Sequence, residues 1–190
     1  MSLLPRSFYS RDTVEVAQDL LGNILVRNIG GDIVSGIIVE TEAYRYQDDE
    51  ASHSYRGMTG RNKAMFGQVG RAYVYFTYGM HYCVNAVARS EDYLAGAVLI
   101  RGIIPKKGID FMIKQRKISD ITNLTNGPAK LTQALKITKK EYGEDLTIQS
   151  NLYVTDGIKI KRSEIKSSPR VGIRKATDKL WNFKILLGGN

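Results

Sequence analysis

Apolar positions along the chain fall into short runs broken by glycine, and their period switches between helix-like and strand-like. Between Asp12, a good N-cap with Glu15 three residues on, and Gly22, the residues Val14, Ala17 and Leu21 share one face, which predicts an amphipathic helix over 12–21. Strands are predicted over 23–27 and 32–43, joined through the turn pair Gly30-Gly31. The stretch 45–70 is long, polar and aperiodic, and loops of that length are uncommon unless they serve a function. Residues 71–77 alternate, with Tyr73, Tyr75 and Thr77 on one face and Ala72, Val74 and Phe76 on the other. Tyr78-Gly79-Met80 interrupts them, and strands over 81–89 and 95–104 follow, giving an antiparallel meander with a tight hairpin near Gly79. Helices are predicted over 108–118, beyond Pro105, and over 128–135, where Pro128 takes an early helical position. Strand-like segments return at 152–155, 158–160 and 181–187. The resulting fold class is α+β: a single domain over 1–190 with a curved antiparallel sheet, flanking helices and a protruding β-hairpin.

Composition bounds this picture. A hydrophobic fraction of 43% in 190 residues supports one proper core and argues against disorder. No apolar run approaches the roughly 18 residues that span a bilayer, and residues 1–11 lack the apolar region and cleavage site of a signal peptide. The expectation is a soluble intracellular protein, nucleoid-associated in a bacterial cytoplasm or nuclear in a eukaryote. The single cysteine, Cys83, sits in an apolar, strand-like stretch and reads as a small buried hydrophobe; with only His53 and His81 beside it, the sequence does not support a zinc site. The net charge of +9, from 28 Lys and Arg against 19 Asp and Glu, points toward a polyanion. That signal is weak alone and gains from the 11 tyrosines, several of them close to basic residues.

Two segments carry candidate chemistry. In the run from Ile37 to Tyr44, the strand period puts Glu40, Glu42 and Tyr44 on one face and Ile37, Val39 and Thr41 on the other. Such a face can be merely solvated or neutralised by arginines, but a carboxylate at the bottom of a partly buried cleft can act as general base on a water. In the hairpin, Tyr78 stands beside Gly79 at the turn. The hairpin tyrosines can be cross-strand packing partners, or the ring at the tip can serve as a wedge that enters a base stack. His53, in the long loop, reads by itself as a surface or capping residue, and Arg61-Asn62-Lys63 as a solvated basic run.

The blocks Ile38-Val39-Glu40-Thr41-Glu42-Ala43-Tyr44, Asp49 to Ser54, Arg61-Asn62 with Met65-Phe66, Tyr73-Val74-Tyr75, Tyr78-Gly79-Met80, Cys83, Asn85 and Val98 to Arg101 together resemble the alkyladenine (3-methyladenine) DNA glycosylase family. Asn126 to Leu131, Gln133-Ala134-Leu135 and Pro169 to Ile173 extend the likeness in family order, from about Leu20 to Ile173. The resemblance implies one mixed α/β domain whose hairpin enters the DNA minor groove. It implies Glu42 as catalytic base and Arg101 as the residue that helps hold the attacking water. It implies Tyr44, His53, Tyr75 and Asn85 as the pocket for the flipped base, with Asn85 obstructing guanine's exocyclic amine, and Tyr78 as the side chain that fills the vacated stack. Glu40 is implied to be structural. His81-Tyr82 after the hairpin and the tail from Arg174 depart from the family pattern, the tail keeping chiefly Trp181 and Phe183.

The residues make chemical sense in those roles. A stacked base cannot be reached and must be flipped. An alkylated purine is cationic, which attracts it to tyrosine faces by ~0.5–2 kcal/mol and makes it a good leaving group. No lysine falls in a catalytic block, so the expectation is hydrolysis without lyase chemistry, with no metal or organic cofactor. Double-stranded DNA with damaged purines is the expected partner of a monomer, with Arg61, Lys63, Arg170 and Arg174 as candidate phosphate contacts and no membrane association. Two rivals stay open: a non-catalytic damage sensor on the same scaffold, and a nucleosidase using Glu40 and Glu42 as its carboxylate pair, since same-face i, i+2 positions lie roughly 7 Å apart.

Overall fold

A computed structural model describes residues 2–186. Helix α1 (Arg6–Tyr9) is one turn. Helix α2 (Thr13–Asp19) starts where the sequence places it, with the Asp12 carboxylate accepting from the Val14 and Glu15 amides. Strands β1 (Ile24–Ile29) and β2 (Asp32–Arg45) form a hairpin through Gly30 and Gly31, both at positive φ as a two-residue primed turn requires. After the long loop, β3 (Ala72–Thr77), β4 (His81–Val87) and β5 (Gly96–Lys107) make the expected meander. Helices α3 (Ile109–Arg116) and α4 (Pro128–Ala134) follow, then β6 (Leu152–Thr155), β7 (Ile165–Ser168) and β8 (Asn182–Ile185).

Among the described residues these strands form one antiparallel sheet of order β3-β4-β5-β2-β1-β6, with β8 also on β2 and β7 on β8. The fold is α+β, as expected. β2 is the axis: β5 runs along one edge, while β1 and β8 share the other, β1 opposite residues 32–37 and β8 opposite residues 40–42. Its register against β5 shifts at Ser35/Gly36, Ile38/Glu40 and Glu40/Thr41, and such bulges bend and twist a strand. The sheet packs on α2, α3 and α4 through one apolar cluster that includes Val16, Leu20, Ile38, Ile100, Met112 and Leu131. No helix among the described residues is long and apolar enough to cross a membrane.

Four expectations change. β5 runs through Pro105 to Lys107, because Pro105 pairs at the bulge by Gly36, where a missing N–H is tolerated. The strand expected at 158–160 does not form: Gly157 packs directly on the Gly22 backbone, Ile158 gives one hydrogen bond to the Gly22 carbonyl, and its side chain is 56% exposed. β7 was not expected, having a single large apolar residue, Ile165, and it forms by pairing with β8. The strand expected at 181–187 is Asn182–Ile185; Leu187 lies outside the described residues.

Gly36 shows how tightly β2 and β5 meet: a Cβ there would lie 2.6 Å from the Ile104 carbonyl oxygen and 2.8 Å from the Ile103 side chain. Gly36→Ala is expected to destabilise the protein by about 1–3 kcal/mol, read as a lower urea midpoint with an unchanged slope.

Candidate active site

The bulged half of β2 delivers Glu40, Glu42 and Tyr44 to one side, while Thr41 turns the other way and donates its hydroxyl to the Ala17 carbonyl of α2. Glu42 is fully buried. Its Oε1 accepts from the Val171 amide at 2.7 Å and the Asn182 amide nitrogen at 3.0 Å; its Oε2 accepts from the Tyr44 hydroxyl at 2.8 Å and Arg101 Nη1 at 3.3 Å. Each oxygen thus has two donors, which holds an unexposed carboxylate in one orientation.

Arg101 comes from β5 and lies between two carboxylates, giving Nε to Glu40 at 2.8 Å and Nη1 to Glu42. Burial would raise the Glu40 carboxyl, but hydrogen bonds from Asn182 and Arg101, with the Arg101 charge, overcome it and hold Glu40 below the ordinary carboxylate range. Glu40 is therefore an ionised anchor for Arg101. Burial raises the Tyr44 hydroxyl, and the Glu42 charge and hydrogen bond raise it further, so Tyr44 stays a proton donor to Glu42.

In front of this network opens a cavity of about 500 Å³. Tyr44, His53, Tyr75, Tyr78, Asn85 and Arg101 all line it, while Glu42 sits behind Tyr44 and Arg101 rather than on the wall. The His53 ring meets Tyr75 edge-on at 4.6 Å between centroids, and its Nδ1 lies 3.0 Å from the Tyr73 hydroxyl. Burial against these rings, with the Arg61 charge, lowers the His53 pKa, which favours the neutral imidazole. Asn85 gives its side-chain N–H to the Tyr73 carbonyl at 2.9 Å, so the orientation of its amide is set by the sheet.

The β3–β4 turn is Tyr78-Gly79, both at positive φ, closed by Met80 N–H to Thr77 O at 3.2 Å. Positive φ is uncommon for a tyrosine, and here it leaves the ring 83% exposed at the cavity mouth, with Met80 68% exposed beside it.

The four candidate phosphate contacts divide. Lys63 and Arg174 are exposed, Arg174 on the cavity lip. Arg61 is exposed but also ties the loop to the hairpin, donating to the Phe76 carbonyl and lying over the Tyr75 ring. Arg170 is a correction: its guanidinium is buried and forks onto Asp49 at 2.6 Å to each oxygen, so it cannot reach a phosphate.

Several residues around the site carry no sequence signal for it. The Val171 amide is backbone. Asn182 reaches Glu40 and Glu42 from β8, far along the chain. Asn62, expected in a solvated run, is buried and donates to the His53 and Gly57 carbonyls, folding the long loop so that His53 faces the cavity. Lys175 also reaches the cavity rim, where it pairs with Glu50 at 2.8 Å.

Residues 7–187 match the family model described as methylpurine-DNA glycosylase (MPG). A protein of Carboxydothermus hydrogenoformans named "Putative 3-methyladenine DNA glycosylase" is 50% identical over 181 residues, 95% of this chain and 94% of that protein. Proteins with the same name from Prosthecochloris aestuarii and Clostridium perfringens are 47% identical (95% of this chain, 86% of that protein) and 45% identical (96% and 95%). With a family match across almost the whole chain and relatives at this identity, the chain belongs to the methylpurine-DNA glycosylase family.

Proposed function

We propose that this protein is a monofunctional DNA glycosylase of base excision repair, which flips alkylated or deaminated purines out of duplex DNA and hydrolyses their N-glycosidic bond. The observation that carries this reading is the buried Glu42 carboxylate, oriented by donors on both oxygens, behind an aromatic-walled cavity with an exposed tyrosine at its mouth.

The duplex binds with Tyr78 directed into the stack, where its ring replaces the contacts of the departed base and offsets part of the few kcal/mol that flipping costs. The flipped purine enters the cavity among Tyr44, His53 and Tyr75. The rings attract a cationic base, and a neutral His53 does not oppose it. Asn85, with its amide fixed by the Tyr73 carbonyl, stands where guanine's exocyclic amine would intrude. Glu42 takes a proton from a water held with Arg101, and the water oxygen bonds to the anomeric carbon as the bond to the purine nitrogen breaks. For a cationic alkylated purine that bond's electron pair stays on the base and neutralises its positive charge; a neutral deaminated purine instead takes up a proton from solvent on the departing nitrogen. Glu42 then returns its proton to solvent. The nucleosidase alternative draws no support from Glu40, which is committed to Arg101 and Asn182.

Glu42→Gln is expected to lower single-turnover excision by about 10²–10⁴-fold while leaving affinity for lesion-containing duplex within a few-fold; normal excision would remove Glu42 as the base. Tyr78→Ala is expected to weaken the fluorescence change of a base analogue beside the lesion more than it weakens binding, and an unchanged signal would argue against the wedge. The lowered His53 pKa means that this ring is neutral at pH 7 and charges only on the acid side of its ordinary value of about 6.5. In the Glu42→Gln background, acidification should therefore weaken binding of a cationic lesion more than that of neutral ethenoadenine, and His53→Gln should remove the difference.

A further inference from the structure

Arg170 is the feature that the mechanism above leaves unused. Its guanidinium makes a two-bond fork with Asp49 at 2.6 Å each, both side chains having no exposed surface, and adds a bond to the Ala43 carbonyl at 2.8 Å. It also lies over the Tyr44 ring at 4.6 Å and the Trp181 ring at 5.2 Å. Asp49 in turn accepts from the Arg45 and Ala51 amides, so it belongs to the start of the cavity loop. One ion pair therefore joins three pieces of chain: the end of β2, the loop, and the segment after β7.

The position of these pieces relative to Glu42 matters. The residue after Arg170 is Val171, whose amide addresses Glu42 Oε1; the ring beneath Arg170 is Tyr44, whose hydroxyl addresses Oε2. Arg170 thus touches one donor to each oxygen of the carboxylate. Holding a buried pair in place is poor evidence of a stabilising role, since well-packed apolar side chains commonly do as well. It is effective at fixing geometry, because a fork constrains both distance and plane.

We propose that Asp49 and Arg170 are positioning residues of the glycosylase reaction: the pair holds the Val171 amide and the Tyr44 hydroxyl so that the Glu42 carboxylate keeps the orientation in which it takes a proton from water. This rests on Glu42 acting as the base.

The test compares Arg170→Lys and Asp49→Asn with the wild type and with Glu42→Gln, using duplex carrying ethenoadenine. The expected result is a single-turnover rate lower by about 10–100-fold, affinity for the same duplex within threefold, and a retained melting transition. In a Glu42→Asp background, whose shorter carboxylate no longer meets the Val171 amide, the Arg170→Lys penalty should shrink. A purely structural role would not produce that dependence. If either single variant fails to fold, the paired replacement Asp49→Leu with Arg170→Met, chosen to fill the same buried volume without charge, decides the matter by the same rate and affinity measurements. A folded variant with wild-type rate overturns the proposal, as does a rate loss matched by lost binding or an equal penalty in the Glu42→Asp background. Full excision by Glu42→Gln would overturn the catalytic reading itself, an outcome separate from the first.

Discussion

Withdrawing a carboxylate from water costs several kcal/mol unless its oxygens find donors inside the protein. Glu42 has no exposed surface, and its donors come from β2 itself, from β5, from the segment after β7 and from β8. The fold around the site can be understood as the way these four sources are brought to one point. β2 is long enough to pair with β1 at its beginning and with β8 further on, which leaves room for Asn182 beside Glu40 and Glu42. The bulges near Glu40 bend β2 where the carboxylates leave the sheet.

A second constraint follows from placing charge in that setting. Arg101 divides its donors between Glu40 and Glu42, so no charge in the group stands alone. Glu40, on the same side of β2 as Glu42, takes Arg101 Nε at 2.8 Å, while Arg101 Nη1 lies 3.3 Å from Glu42. Apart from Arg101, the inner wall is lined by Tyr44 and Tyr75, whose hydroxyls burial raises, and by His53, whose pKa burial lowers, while Glu50, Arg174 and Lys175 carry charge around it.

The sequence made much of this legible, and its failures have physical reasons. Strand alternation is a local property, so the common face of Glu40, Glu42 and Tyr44 could be read from spacing alone. The same holds for the Asp12 cap, the Gly30-Gly31 turn and the hairpin at Gly79, each determined by neighbours in sequence. What could not be read is anything set at long range. Arg170 looks in sequence like any surface cation, and only the arrival of Asp49 from 121 residues away shows that it is buried. The Val171 contribution is a backbone amide without a side-chain signature. Residues 158–160 have strand-like composition, but Gly157 packs on the Gly22 backbone and Ile158 is held by a single bond to the Gly22 carbonyl, a contact set at long range. β7 is the converse, a strand made by its partner rather than by its own residues.

The sequence separations within the Glu42 network have a consequence for synthesis. Val171 and Asn182 meet Glu42 across 129 and 140 residues. A polypeptide emerging from the ribosome therefore exposes the cavity loop, the β3–β4 hairpin and Glu42 long before β8 exists to complete the donors around the carboxylate. Until then the carboxylate lacks both donors to one oxygen, and the network that orients it is unbuilt. The Glu42 network is thus completed last, by the final strand to leave the ribosome among those described.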